Sequence, residues 1–446
     1  MGKRTPRRDR PEAAPKMREV IRGVASRASP ENRNFASRFG SAPNLVAPTG
    51  AGLVRPQKMP AQQEASPALL PSTPALLAST SSAGAFTPEA SCGDEGCWPS
   101  MYLVGAQKAS TTALFQLLRT SSGICGAKAR PGSFPAASYK EVHFFDNDGV
   151  PWEGADGSRA NASLYTRLFR REECASRRFL DATPQYQYSW HAPMRMRLFV
   201  PETWRSRVRM ITILREPLSR DLSYYNHRVD ENLQRSNWTL GWYDGLVPVQ
   251  KFCLAPTVHR GRPRLPRYED EVRCEAERWN GCLESAGVGR PLREQYEHCM
   301  AAGRYHGSIV RGVYAMHLAR WTRYFSRQQI LVLQYEELHA DLPGHLARIG
   351  RFWGLATLPA VGAMAESNAH EGGHKLRQID CHTRSMLLAL FRPWNDMLYE
   401  DLGRDAAAHA APDVEPRRFR PFDATVGCTD RKVSARGVIR VDPSLL

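Results

Sequence analysis

Apolar residues fall along this chain in short continuous runs set apart by hydroxyl-rich or glycine-bearing turns. Met101 to Gly105 (MYLVG) is one such run. It ends in a tight turn, and Thr111 to Leu118 then shows helical spacing, so a strand, a turn and a helix opened by hydroxyl residues are predicted. Val208 to Leu214 is a second run, branched and alternating, with Pro217 well placed for the first turn of a following helix. Apolar groups at 309, 313, 317, 321 and 325, counting His317 as semi-apolar, trace one face of a helix over 309–325. A third run, Gln329 to Gln334 (QILVLQ), follows it. Strand, crossover helix and strand in repetition predict an α/β fold with a parallel sheet flanked by helices. A last helix, Thr383 to Leu402, is expected to break at Phe391–Asn395 around Pro393 and to end the fold.

Composition separates the first 97 residues from the rest. Residues 1–60 hold 13 Lys plus Arg against 4 Asp plus Glu, and so carry +9 of the total +16. Pro, Ser and Ala dominate from there to residue 90. Such a segment buries too little apolar surface to fold alone, so residues 1–97 are expected to form a disordered basic arm. Residues 98–405 form the predicted folded domain, with a polar, cysteine-rich insertion at about 237–305, and 406–446 a C-terminal tail. The remaining +7 (16 − 9) falls on residues 61–446, where a basic cleft suits a polyanionic ligand.

The turn after Gly105 carries the chemistry. A helix N-terminus leaves backbone N–H groups unpaired at the positive end of the macrodipole, which makes an anion site. Lys108 adds a point charge there, and Ser110, Thr111 and Thr112 add hydroxyl donors. The nucleotide-hydrolase loop requires Gly-x4-Gly-Lys followed by Ser or Thr, whereas Lys108 stands three residues after Gly105. A kinase or GTPase reading therefore loses ground. Arg215 closes the second strand and Ser223 follows eight residues on. A planar guanidinium and a hydroxyl at that spacing suit one phosphate dianion.

Three segments together resemble the sulfotransferases that use 3′-phosphoadenosine 5′-phosphosulfate (PAPS). The turn Gly105-Ala-Gln-Lys108-Ala109-Ser110-Thr111-Thr112 is similar to the family's 5′-phosphosulfate loop, and Arg215 with Ser223 to its 3′-phosphate site. Lys140 to Asp146, KEVHFFD, resembles a motif of Golgi enzymes that sulfate heparan-type glycans. The resemblance implies a P-loop-NTPase-like parallel sheet, PAPS as co-substrate, and no metal. One position departs from the family pattern, because Ser110 stands where glycine is usual. If that glycine is needed for positive φ, serine is strained by roughly 1 kcal/mol or more; if it is needed only for its size, serine fits.

The chemistry so implied is in-line sulfuryl transfer, dominated by positioning and charge stabilisation. Lys108 is assigned to the oxygen between phosphate and sulfur. Glu141 is the candidate base for the acceptor hydroxyl, and His143 is its rival or else a packed structural histidine. Asp146 is expected to orient a neighbour or the acceptor. In Phe179 to Tyr188, FLDATPQYQY, relatives usually carry Glu-Lys-Thr or Glu-Lys-Ser, and this chain has Asp181, Ala182 and Thr183. The second lysine is absent. Asp181, Tyr186 and Tyr188 are expected at the acceptor cleft, although aromatic residues near strand ends are commonly core. In His370 to Arg377, HEGGHKLR, relatives place a basic loop over the nucleotide, which makes Lys375 and Arg377 candidates for donor contact.

The expected acceptor is a polyanionic or neutral glycan, with no nucleic-acid partner. A tyrosine, lipid or small-alcohol acceptor, or an inactive polyanion-binding relative, is the alternative. Ten cysteines point to an oxidising compartment. Cys253, Cys274, Cys282 and Cys299 crowd the insertion, as disulfides or, less fittingly for their spacing, a zinc site. Sequons at Asn161 and Asn237 agree with a lumenal location. No apolar run of membrane-spanning length occurs, which sits apart from the usual membrane anchor of Golgi sulfotransferases; a Golgi-lumen or secretory location remains the expectation.

Overall fold

Three apolar runs and the short strand Leu180–Asp181 pair into one parallel sheet, where both faces are covered. In the computed structural model the described residues are 88–94, 96–128, 140–146, 157–234, 253, 257–259, 262–264, 266–301, 307–355, 358, 376–408 and 419–429. Nearly all of the expected N-terminal arm, together with Asn237 and Lys375, lies outside them.

In chain order the elements are β1 (Ser91–Gly93), β2 (Gly96–Trp98), β3 (Met101–Gly105), α1 (Thr111–Ser121), α2 (Gly157–Thr166), β4 (Leu180–Asp181), α3 (Ala192–Phe199), α4 (Glu202–Arg205), β5 (Arg209–Leu214) and α5 (Pro217–Gln234). They continue with β6 (Thr257–His259), β7 (Arg262–Arg264), α6 (Tyr268–Ser285), α7 (Leu292–Ala301), α8 (Tyr314–Thr322), β8 (Ile330–Gln334), α9 (Tyr335–Ala340), α10 (Leu342–Phe352), β9 (Gln378–Asp380), α11 (Cys381–Ala408) and β10 (Gly427–Thr429). The central sheet has the order β4-β3-β5-β8. Its pairings are all parallel, with Met101 opposite Leu180 and Arg209, and Met210 to Leu214 opposite Ile330 to Gln334. Every residue of β3 and β8 is buried, as are Met210 to Leu214 in β5. One continuous core joins these strands to Leu114 and Leu118 of α1, Trp321 of α8, Ile349 of α10 and Leu398 of α11.

The stripe at 309, 313, 317, 321 and 325 is buried throughout, as its spacing predicts. The helix itself begins later. Residues Ile309–Gly312 form a 3₁₀ turn, and Val313, at φ −83° and ψ 63°, separates it from α8. Gly312 explains the change of path, because a Cβ there would stand 2.8 Å from the Phe391 ring and 3.1 Å from Pro217. The expected break at Pro393 does not occur: α11 runs from Cys381 to Ala408 with Pro393 inside it. Nor does that helix end the packing. β10 pairs in parallel with β9, Cys428 is disulfide-bonded to Cys381, and Phe419 and Phe422 pack on Tyr399.

Within the insertion, Cys253 pairs with Cys274 and Cys282 with Cys299, so the four cysteines are cross-links and hold no zinc. Cys125–Cys174 and Cys92–Cys97 complete the set, and no cysteine is free. The α6–α7 pair buries Trp279, Tyr296 and Met300 with Trp394 of α11 as a separate small core.

Candidate active site

The carboxyl ends of β3, β5 and β8 open together, which is where parallel α/β sheets receive ligands. Gly105 ends β3 and has no room for a side chain: a Cβ would meet Gln187 Cβ at 2.5 Å. The next turn bends through Lys108 at φ 71° and Ser110 at φ 59°, both in the left-handed region. The first reading of Ser110 is therefore the right one: the position needs positive φ, and serine occupies it at a cost of roughly 1 kcal/mol. Its hydroxyl lies 3.1 Å from His339 Nε2, a contact from α9 that helps to hold the bend. Ala109 is fully buried, and Thr111 and Thr112 open α1.

Arg215 leaves the end of β5 and turns back on this loop. Its Nη1 donates to the Lys108 carbonyl at 3.0 Å, and its guanidinium carbon stands 4.5 Å from the centre of the Tyr335 ring. Nε of Arg215 is buried with no hydrogen-bond partner among the described residues. A buried donor left open at an anion-shaped loop is a fit for a phosphate oxygen. Tyr314 donates to the Arg215 carbonyl at 2.9 Å, and Glu336 accepts from the Glu216 amide at 3.0 Å, so α8 and α9 fix the arginine's backbone. Ser223 is half-buried on α5, six residues after Pro217, or about 9 Å along the axis. Its helix begins two residues after Arg215, and among the described residues no hydrogen bond joins the two side chains.

The motif loop 140–146 closes the other side. Lys140 Nζ donates to Thr112 Oγ1 at 2.9 Å, to Thr111 Oγ1 at 3.3 Å and to Glu141 Oε1 at 2.6 Å. Its side chain is only 9% exposed. Burial pulls its pKa down, against the attraction of Glu141. His143 spans two carboxylates, with Nε2 3.2 Å from Glu141 Oε2 and Nδ1 2.9 Å from Asp146 Oδ2. Burial opposes charge on that ring, yet hydrogen bonds to Asp146 and Glu141 outweigh it and lift the pKa to about 10. Burial likewise opposes charge on Glu141, and His143 and Lys140 together take its pKa down to about 2. Around neutral pH Glu141 is a carboxylate and His143 an imidazolium, so His143 has no free lone pair with which to act as a base. The histidine side chain remains 42% exposed, so water screens part of the attraction.

Asp181 supports this loop from beneath. It accepts from Tyr165 at 2.9 Å, Tyr186 at 3.1 Å and Thr183 at 2.7 Å, and is fully enclosed. Burial raises its pKa to about 7 against those three donors. Asp181 and Tyr186 thus face the core where the sequence suggested the acceptor cleft; of those three residues only Tyr188 keeps exposed surface. The same segment holds the motif loop directly, through Val142 N to Thr183 Oγ1 at 2.8 Å, Phe144 N to Tyr186 OH at 3.1 Å and Ala182 N to the Lys140 carbonyl at 3.0 Å. Arg377 is exposed, beside a Leu376 backbone that Asn226 of α5 grips at 3.0 Å on both N–H and carbonyl.

Several residues of this neighbourhood carried no motif signal: Lys140 as a bridge, Tyr335 and His339 after β8, and Arg311, which donates to Gln107 Oε1 at 2.6 Å. Only Lys140 had a clue in its position next to Glu141.

A family model described as "Sulfotransferase domain" matches residues 99–367. The chain belongs to that family. Two human relatives of the sulfotransferase domain are the bifunctional heparan sulfate N-deacetylase/N-sulfotransferase 3, 23% identical over 320 residues, and the heparan sulfate glucosamine 3-O-sulfotransferase 3A1, 23% identical over 353 residues. The first match covers 67% of this chain and 29% of the relative, the second 72% and 67%. The chain thus spans less than a third of the bifunctional relative. Among solved structures, a sulfotransferase from Alicyclobacillus acidocaldarius matches at 21% identity with a TM-score of 0.40, over 70% of this chain and 98% of that one. No helix among the described residues of the sulfotransferase domain is long and apolar enough to cross a membrane.

Proposed function

We propose that this chain transfers the sulfuryl group of PAPS to a hydroxyl or amine of a glycan, a glycosaminoglycan-like polysaccharide, within the secretory pathway. The observation that carries the reading is the junction of Arg215 with the Lys108 loop, at the mouth of the parallel sheet, beside an ionised Glu141. In this reading the amides and hydroxyls of Ser110, Thr111 and Thr112 receive the 5′-phosphosulfate, and Gly105 and Ala109 let the backbone come close. Lys108 meets the bridging oxygen where negative charge grows as the adenosine bisphosphate leaves. Arg215 and Ser223 take the 3′-phosphate, and Lys375 and Arg377 are assigned to donor contact.

Glu141 accepts the acceptor's proton. A carboxylate held near pKa 2 by two cations is a weak base, so its strength depends on the incoming hydroxyl replacing the His143 contact. Asp146 then keeps His143 charged and in place. Lys140 supplies the ammonium beside Glu141 in a chain that has Ala182 at the family's second lysine. Five disulfides agree with an oxidising, lumenal compartment.

Incubation with labelled PAPS and a panel of heparan, chondroitin and desulfated polysaccharides, followed by disaccharide analysis, tests the acceptor class. Glu141→Gln should keep affinity for adenosine 3′,5′-bisphosphate and lose about 100-fold or more in turnover. Wild-type turnover in that variant removes Glu141 from the chemistry, and transfer to tyrosine peptides alone rejects the glycan.

A further inference from the structure

Arg311 stands next to the donor loop without belonging to any recognised motif. The 3₁₀ turn Ile309–Gly312 presents it half-buried. Its Nη1 donates to Gln107 Oε1 at 2.6 Å, one residue before Lys108. The guanidinium carbon lies 4.5 Å from the ring centre of Tyr188 and 4.4 Å from that of Tyr224, so the charge rests against two aromatic side chains. Nε of Arg311 is buried with no hydrogen-bond partner among the described residues.

Three more deeply buried arginines of the fold, Arg220, Arg228 and Arg320, differ. Arg220 is paired with Asp221 at 2.7 Å and Arg228 with Glu271. Arg320 is stacked 3.8 Å from the centre of Trp190, but it is sealed from solvent at 4% exposure. Arg311 alone of these four combines a solvent-reachable face with contacts that are all uncharged among the described residues. Its place is also informative. The Tyr188 phenol is pushed up first by burial, with Arg311 opposing and Tyr224 and Asp146 adding, so that hydroxyl feels both the guanidinium and a carboxylate of the motif loop. A planar guanidinium held in place against aromatic rings, with donors left over, is built to receive a carboxylate or sulfate in fork geometry.

We propose that Arg311, with Gln107, Tyr188 and Tyr224, forms a subsite for an anionic group of the acceptor, a carboxylate or sulfate on a sugar near the one modified. This rests on the reading of the chain as a glycan sulfotransferase. It makes an acidic acceptor the preferred one and gives the polyanionic alternative a specific anchor, beyond the diffuse charge of the surface.

The test is equilibrium binding to the full chain loaded with adenosine 3′,5′-bisphosphate. Size-matched fluorescent oligosaccharides carry sulfate and carboxylate, carboxylate alone, or neither. Arg311→Gln should weaken binding of whichever acidic class the subsite reads by about tenfold or more, while bisphosphate affinity stays within about twofold. Arg323→Gln, a charge-matched change at a 57% exposed arginine paired with Glu297, should leave all of these within about twofold. Arg311→Lys keeps the charge and loses the fork, so it should fall in between, and it decides the matter if the glutamine variant fails to fold. Unchanged acidic binding in both Arg311 variants overturns the subsite, as does an equal loss of bisphosphate binding, which marks a purely structural arginine. Transfer assays run in parallel separate the two proposals. Wild-type protein that binds acidic sugars through Arg311 yet transfers nothing refutes the reaction alone; wild-type transfer with unaffected Arg311 variants refutes the subsite alone.

Discussion

A single backbone angle sets the stability of the anion loop at Ser110. With φ 59° and ψ 21°, the residue pays for its Cβ, and the His339 contact returns part of that. Ser110→Ala keeps the strain and loses the hydroxyl; Ser110→Gly loses both. The glycine variant should therefore be more stable than the alanine variant by about 1 kcal/mol in denaturant unfolding, and equal or reversed stabilities would remove the left-handed conformation from the account. His143 offers a test by pH. Its folded pKa of about 10 lies above the ordinary 6.5, so the folded state binds the proton more tightly. The stability it contributes is complete below pH 6.5 and fades as pH rises through 10. His143→Gln should thus be less stable than wild type at pH 6, and the gap should narrow by pH 10.5. A gap that stays constant over that range would separate the ring from the Glu141 and Asp146 carboxylates. At this scale Lys108, Glu141, His143, Asp146 and Arg215 were legible because each stands in a spaced motif. Asp181 was misplaced for a physical reason: a carboxylate beside tyrosines reads as a cleft until three hydroxyls are seen to close over it. Arg311 was hidden because its partners lie far along the chain, and Lys140 because two of its three, Thr111 and Thr112, do.

Among the elements, buried runs were the most readable, since continuous apolar sequence has few other uses in a parallel sheet. The strand limits shifted by one residue at each of two places: Val208 precedes β5 and Gln329 precedes β8. Local breakers were less reliable guides. Pro393 lacks an N–H to donate to Ala389 and is expected to end a helix, yet α11 passes through it. The explanation is the buried row Leu387, Phe391, Trp394, Leu398 and Leu402, which holds one helical face against three cores, one before the proline and two after it. Packing along that row outweighs the missing hydrogen bond, because Pro393 itself is exposed and displaces nothing. Pro393→Ala restores the bond and should stabilise the fold by about 1 kcal/mol or more, read as a rise in thermal midpoint. An unchanged or lower midpoint would mean that the helix is bent there by design of its packing. Gly312 shows the opposite case, a residue unremarkable in sequence whose missing Cβ lets three elements meet.

Across the whole molecule, the site is assembled from segments that are remote in sequence and meet only in the native fold. Lys108 and Arg215, joined by one hydrogen bond, are 107 residues apart, and Ser110 and His339 are 229 apart. An unfolded chain cannot present these groups together, so a bisphosphate that spans them binds the native state alone and must stabilise it by linkage. At a concentration about 100 times its dissociation constant, adenosine 3′,5′-bisphosphate should add about 2.7 kcal/mol, a rise of several degrees in midpoint for a domain of this size. The shift should be lost in Arg215→Ala, which leaves the loop lysine in place, and should be small for adenosine 5′-monophosphate, which lacks the 3′ group. Magnesium should be unnecessary for it, in contrast to a nucleotide-hydrolase loop, where the metal bridges phosphate oxygens. If Arg215→Ala retains the full shift, the second end of the nucleotide is held elsewhere, and the spacing of Arg215 to Ser223 loses its meaning. If the monophosphate matches the bisphosphate, the Lys108 loop binds phosphate by itself and the two sides of the sheet mouth do not act as one site.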